Sequence, residues 1–230
     1  ARYFLLNNRG AIAPGYLADF AIIDNFKNFN VEMVFKKGEL YYNDGKLKDF
    51  PAPAIEEYLD ERAHDTFHVR HLTEEDFEDV RQRGVIGIIT GEIVTTDNGY
   101  ADHVDLEKDI LKIAVVERHK NTGHIGLGYI QGYGLKSGAV ATSISHDSHN
   151  IIVVGTNAAD MAFAANYIVE NHGGIVVVKD GKVLSSVVLE IAGIMSDEPL
   201  TKMNEELEAA KDEKEFFDGV TGFYKDFGVG

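Results

Sequence analysis

The sequence contains no cysteine and no tryptophan, and only 4 of its 230 residues are proline. Without cysteine, the chain can form no disulfide, offers no thiolate nucleophile and cannot build a cysteine-ligated zinc site. It therefore lies outside the base deaminases that hold zinc through a Pro-Cys-x-x-Cys segment. The absence of cysteine also fits the cytosol, which is where we expect this protein.

Positive charge is scarce as well, since 22 Lys and Arg stand against 38 Asp and Glu and give a net charge of −16. Such a chain repels nucleic-acid backbones and anionic lipid surfaces, so we expect neither as a partner. No apolar run approaches the roughly 18 residues that span a bilayer. The hydrophobic content of 44% is nevertheless that of a folded protein.

Two regions differ in their patterns, and we place the boundary between residues 55 and 56, after the break at Pro51 and Pro53. The first region, 1–55, has three short strand-like runs at 19–24, 31–37 and 39–43, with an Asp44-Gly45 hairpin turn. Three short strands cannot close a core, so we expect them to pair with another element.

The second region, 56–230, mixes strand and helix patterns. We predict strands at 67–71, 85–95, 110–118, 139–144 and 151–154, and a glycine-rich connection at 123–138. A helix at 158–172 capped by Asn157, a hairpin at 175–189 and a last helix after Pro199 follow. The overall prediction is an α+β fold, too short to include a TIM barrel of about 200 or more residues in addition.

The densest polar cluster lies between the strand patterns 139–144 and 151–154, and it reads Ser145, His146, Asp147, Ser148, His149 and Asn150. Two imidazoles and a carboxylate can bind a divalent metal or form an acid/base pair. This makes His146 and His149 candidate metal ligands. The alternative is a turn in which the Ser, Asp and Asn side chains bond the local backbone.

A second polar group, Glu117-Arg118-His119, ends the predicted strand 110–118 beside the glycine-rich connection. It forms either a binding edge or a solvated ion pair. The glycines do not match the dinucleotide fingerprint, because positions 131 and 137 hold Gln131 and Ser137 where that pattern needs glycine.

Several stretches resemble known families. Residues 10–24 (GAIAPGYLADFAIID) resemble the segment that follows the catalytic barrel of amidohydrolase-superfamily enzymes and returns the chain to a small β-domain. Four further stretches resemble the C-terminal domain of the bacterial adenine deaminase family: 116–128 (VERHKNTGHIGLG), 132–139 (GYGLKSGA), 145–155 (SHDSHNIIVVG) and 189–197 (LEIAGIMSD).

This resemblance implies hydrolytic deamination of adenine to hypoxanthine and ammonia in purine catabolism, with manganese or iron activating water. In the family, the metal ligands lie on barrel strands and include a His-x-His pair. None of the nine histidines here lies two residues from another. We therefore expect a C-terminal portion without the catalytic barrel, which fits a first residue, Ala1, that is not Met. Alone, it should be inactive and bind no metal.

In that setting, the two polar groups are expected at the interface with the barrel, near the mouth of the active site, and self-association into a homo-oligomer is expected. Two alternatives stay open. One is a standalone module that binds a small ligand, and the other is an independent metallohydrolase built on His146 and His149.

Overall fold

The computed structural model describes residues 1, 3–49, 54–78, 81–89, 92 and 94–212. Contacts within the chain divide it into two compact units, Ala1–Ala54 and Ile55–Gly230. The predicted break at Pro51 and Pro53 lies outside the described residues.

The first unit is a four-stranded antiparallel sheet whose strands follow one another in chain order. They are β1 (Phe20–Ile23), β2 (Val31–Lys36), β3 (Glu39–Asn43) and β4 (Lys46–Leu47). The three predicted strands are confirmed, and the Asp44-Gly45 turn adds β4 because both residues adopt positive φ, 47° and 78°. The strands pair with one another, which the sequence analysis did not expect. No residue described between 1 and 49 is fully buried.

Both aspartates of the 10–24 stretch act as local ties in this first unit. Asp19 accepts hydrogen bonds from Arg9 Nη1 at 2.5 Å and from the Lys37 amide at 2.7 Å. Asp24 accepts from the amides of Asn25 and Asn30 and so closes the turn between β1 and β2. These contacts give the stretch a structural role in shaping the sheet.

The second unit is built on one eight-stranded sheet. Its strands are β5 (Arg83–Ile88), β6 (Thr95–Ala101), β7 (Ile110–Val116), β8 (Ile125–Gln131), β9 (Ala139–Thr142), β10 (Ile151–Gly155), β11 (Gly174–Lys179) and β12 (Lys182–Val188). Their order is β12-β11-β9-β10-β7-β8-β5-β6, and only β5 and β8 run parallel. The described residues form no closed barrel, and the α+β prediction is confirmed.

Among the described residues, three α-helices and one short 3-10 helix (Glu74–Asp76) accompany this sheet. The α-helices are α1 (Glu57–His64), α2 (Ala158–Glu170) and α3 (Leu200–Asp212). Helix α2 begins at the predicted cap, where Asn157 Oδ1 accepts from the Asp160 amide at 2.8 Å. In the described part of the chain, no helix has both the length and the apolar character needed to cross a bilayer.

Apolar side chains cover both faces of the sheet. On one face, α2 packs Met161, Ala165 and Ile168 against β9, β10 and β11. On the other face, Tyr133 and Leu135 cover part of the strands, and α3 packs against β12 near the sheet edge. The centre of the sheet is therefore buried, and the loops at the ends of β7, β9 and β10 are held by a rigid base.

Three of the predicted elements were wrong or incomplete. The glycine-rich connection contains a full strand, β8, because Ile125, Leu127 and Tyr129 alternate with glycines, and Ile125 and Leu127 pack on the α2 side of the sheet. The run 67–71 is not a strand, although the His68 amide donates to the Arg118 carbonyl at 2.8 Å. The run 85–95 is not one strand, since β5 ends at Ile88 and β6 starts at Thr95; residues 90, 91 and 93 lie outside the described residues.

Candidate functional site

The two polar groups singled out in the sequence lie side by side. Strands β7 and β10 are antiparallel neighbours, and Val116 at the end of β7 pairs with Ile151 at the start of β10. The residues after 116 and before 151 therefore meet at one end of the sheet. Two contacts join them, from Arg118 Nε to the His149 carbonyl at 2.5 Å and from His119 Nε2 to the Ser148 carbonyl at 2.8 Å.

Arg118 is the buried centre of this end of the sheet, with 2% of its surface exposed. Besides the His149 carbonyl, its guanidinium donates to the Thr66 carbonyl at 2.7 Å and to the Ala192 carbonyl at 2.9 Å. It also lies over the Phe67 ring, 4.2 Å from its centroid. Burial lowers the pKa of Arg118, and no described carboxylate forms an ion pair with it. Arg118 therefore holds the segments together and is not exposed for binding.

Glu117 organises the loop that follows β7. Its carboxylate accepts from the amides of His119, Lys120 and Thr122 at 2.6, 2.9 and 3.2 Å, and from the Thr122 hydroxyl at 2.8 Å. Partial burial raises the pKa of Glu117, but the bonds from Thr122, His119 and Lys120 outweigh that effect and lower the pKa to about 2. Glu117 is therefore ionised at neutral pH, and its carboxylate folds the loop.

The 145–150 segment forms a turn closed by its own backbone, where the His149 amide donates to the Ser145 carbonyl at 2.6 Å. His149 adopts a positive φ of 51°, which fits a tight turn. The segment is a turn, as the local-turn alternative expects, but of its Ser, Asp and Asn side chains only Ser148 has a described bond to the local backbone, from the Asn150 amide at 3.4 Å. His146 and Asp147 pair with each other at the surface, with side chains 81% and 84% exposed.

The proposed metal ligands His146 and His149 differ in their surroundings. His146 uses Nδ1 to contact Asp147, whereas Nδ1 of His149 is buried and has no hydrogen-bond partner among the described residues. In the described ranges, no three His, Cys, Asp or Glu side chains come close enough together to hold a metal ion. A metal at the two histidines stays a prediction.

Sequence reasoning missed a third segment of this site, residues 192–193. Gly193 has a positive φ of 74°, and a Cβ there would lie 2.8 Å from Phe67 Cε2 and 3.0 Å from Arg118 Nη2. Ser143 Oγ donates to the Gly193 carbonyl at 2.5 Å and accepts from the Gly174 amide at 2.7 Å. The available signal is the family resemblance of the 189–197 stretch.

The sequence pattern of the family described as "Adenine deaminase C-terminal domain" matches residues 88–220, more than half of the chain. This chain belongs to the adenine deaminase C-terminal domain family. The matched region includes both polar groups, Glu117 to His119 and Ser145 to Asn150, and the 192–193 segment.

Relatives named adenine deaminase match across a longer part of the chain. A protein of Dehalococcoides mccartyi (strain ATCC BAA-2266 / KCTC 15142 / 195) is 41% identical over 222 residues, covering 90% of this chain and 38% of the relative. One of Petrotoga mobilis is 41% identical over 219 residues with the same two shares. "Adenine deaminase 2" of Carboxydothermus hydrogenoformans is 40% identical over 221 residues, again 90% and 38%. The chain thus spans about 38% of the length of these relatives.

Proposed function

We propose that this chain works as the C-terminal portion of an adenine deaminase that converts adenine and water into hypoxanthine and ammonia. The observation that carries the proposal is the family match over residues 88–220, together with relatives of that name that align with 90% of this chain. The proposed setting is the cytoplasm and purine catabolism, with adenine as substrate, a catalytic barrel as partner domain and assembly into a homo-oligomer.

The chemistry of the reaction is assigned to the catalytic barrel. A divalent metal such as manganese or iron would supply an activated water there. The described residues of this chain contain no suitable group of ligands, so we propose that the chain alone is not catalytic. Its own contribution comes from the loops at the end of β7 and before β10, which we place at the barrel interface near the active-site mouth. There they orient the substrate and exclude water.

The first experiment compares this chain, the complete enzyme and a mixture of this chain with the separately produced catalytic part. Conversion of adenine to hypoxanthine is followed by chromatography. We expect turnover by the complete enzyme and by the mixture, and none by this chain. Turnover by this chain with stoichiometric bound metal would instead support the independent metallohydrolase.

A second experiment tests the loops in the complete enzyme with His146→Ala and His149→Ala. His103→Ala is the matched control, because His103, like His146, is exposed and pairs with the aspartate beside it, Asp102. We expect kcat/KM to fall in the two loop variants and to stay unchanged in the control. If the folded loop variants keep the wild-type kcat and KM, the loops have no role in the reaction.

A standalone small-ligand module is the second candidate, and one observation favours it. Three buried polar atoms near Arg118, namely Thr66 Oγ1, His149 Nδ1 and Asn150 Oδ1, have no hydrogen-bond partner among the described residues. Buried polar atoms usually are bonded, so they are candidates for contacts with a ligand. Calorimetric titration of this chain with adenine tests it. Saturable binding of adenine by this chain alone supports the standalone module. A titration that shows nothing beyond the heat of dilution argues against it.

A further inference from the structure

His119 differs from the other candidate residues in being both exposed and held in place. Arg118 is buried, and Glu117 is occupied by backbone amides and a hydroxyl. His146 is exposed, but its bond runs only to its neighbour Asp147. The imidazole of His119, by contrast, is exposed and bonds a residue 29 positions away, Ser148.

The contact with Ser148 determines which nitrogen of His119 carries the proton. A carbonyl oxygen can only accept a hydrogen bond, so Nε2, 2.8 Å from the Ser148 carbonyl, must be the donor. A neutral imidazole with its proton on Nε2 has its lone pair on Nδ1. Nδ1 bonds to no residue in the described part of the chain, and this exposed side chain therefore offers one hydrogen-bond acceptor.

The position of this acceptor is set from two sides. On one side, the His119 amide donates to Glu117 Oε1 at 2.6 Å, and Thr122 holds the other carboxylate oxygen. On the other side, Ser148 precedes His149, whose carbonyl is bonded to the buried Arg118. The two loops thus form one unit that fixes the ring, so little side-chain entropy is lost when a ligand binds.

We propose that Nδ1 of His119 accepts a hydrogen bond from the exocyclic amine of an amino-substituted purine and thereby orients the group that leaves. This role rests on the proposed function. It also separates substrate from product, because deamination replaces the amine, a donor, with a carbonyl oxygen, an acceptor. A lone pair facing that oxygen gains no hydrogen bond, so the contact favours adenine over hypoxanthine.

The test uses His119→Gln in the complete enzyme. The glutamine amide nitrogen can take the place of Nε2 and keep the bond to Ser148, but it supplies no lone pair at the Nδ1 position. We expect kcat/KM for adenine to fall roughly 10- to 100-fold, the range for loss of one hydrogen bond to a substrate. The inhibition constant of hypoxanthine should stay the same. His103→Gln is the control and should change neither value.

A purely structural role of His119 predicts a different pattern. Either kcat/KM for adenine and the affinity for hypoxanthine fall together, or neither changes. If the wild-type enzyme is active, either pattern overturns the role of His119 and leaves the proposed function intact. A wild-type enzyme that does not deaminate adenine refutes the proposed function and this role with it. Nitrogen-15 NMR of this chain gives a separate measurement, since a proton on Nδ1 of His119 overturns the proposal whatever the activity.

Discussion

Replacing Arg118 with alanine tests the claim that one buried guanidinium holds this end of the sheet together. The substitution removes three charge-assisted hydrogen bonds, to carbonyls 31, 52 and 74 residues away in the sequence. It also removes the contact with the Phe67 ring. Because these partners come from three other segments, the loss should loosen all of them at once.

The size of the effect follows from these contacts. Three bonds to a charged donor at about 1.5 kcal/mol each contribute about 4–5 kcal/mol. This value is net, so it already includes the desolvation of the guanidinium. The expected loss in free energy of unfolding is therefore about 4–5 kcal/mol. For a chain of this size, this corresponds to a fall in Tm of roughly 8–20 °C.

The assay is thermal and urea unfolding of this chain, followed by circular dichroism. Arg70→Ala is the matched control, because Arg70 is half exposed and bonds only Asp76 and the His71 carbonyl within one short segment, so its loss should cost about 1 kcal/mol. Hydrogen exchange at residues 145–150 should also speed up in Arg118→Ala alone. If the two variants melt within about 2 °C of each other, the reasoning about Arg118 is wrong.

Two further predictions concern residues around Arg118. Glu117→Gln should weaken the loop after β7 at neutral pH. The pKa of Glu117 is lowered to about 2. The stability that its carboxylate contributes is therefore fully present above pH 4.5 and is lost as pH falls toward 2. A Tm difference between variant and wild type that does not shrink from pH 7 to pH 3 would contradict this. Gly193→Ala should cost roughly 2–4 kcal/mol, because it adds a clash with Phe67 to the strain of a positive φ. Gly181 has a similar φ, and a Cβ added there would meet nothing within 4 Å. Gly181→Ala should therefore cost only about 1–2 kcal/mol. If urea unfolding gives equal losses for the two variants, the clash with Phe67 does not contribute.

Local patterns predicted most elements of the fold. Helix α2 has an asparagine cap and an apolar stripe, and the hairpin of β11 and β12 turns at Asp180 and Gly181, which both have positive φ. Such elements depend on neighbours only a few residues away in the sequence. Strand β8 was missed, because glycine lowers strand propensity and only its place between β7 and β5 favours the extended form.

The candidate residues were found from the sequence, but their roles were not. Glu117, Arg118 and His119 look alike as a charged group at a strand end. In the fold, Glu117 closes a loop, Arg118 is buried and bonds three carbonyls, and His119 is exposed with its ring held in place. These differences depend on partners in distant segments, including Ala192 and Ser148, that no local spacing indicates.

The sequence by itself determined the family, the α+β class and the presence of two polar groups near the glycine-rich region, because these follow from composition, local periodicity and extended motifs. Only the tertiary structure decided that β7 and β10 are neighbours, which brings the residues after Val116 beside those before Ile151. Strand order is set by packing across the whole sheet, so it decides which side chains are buried as supports and which imidazole faces solvent.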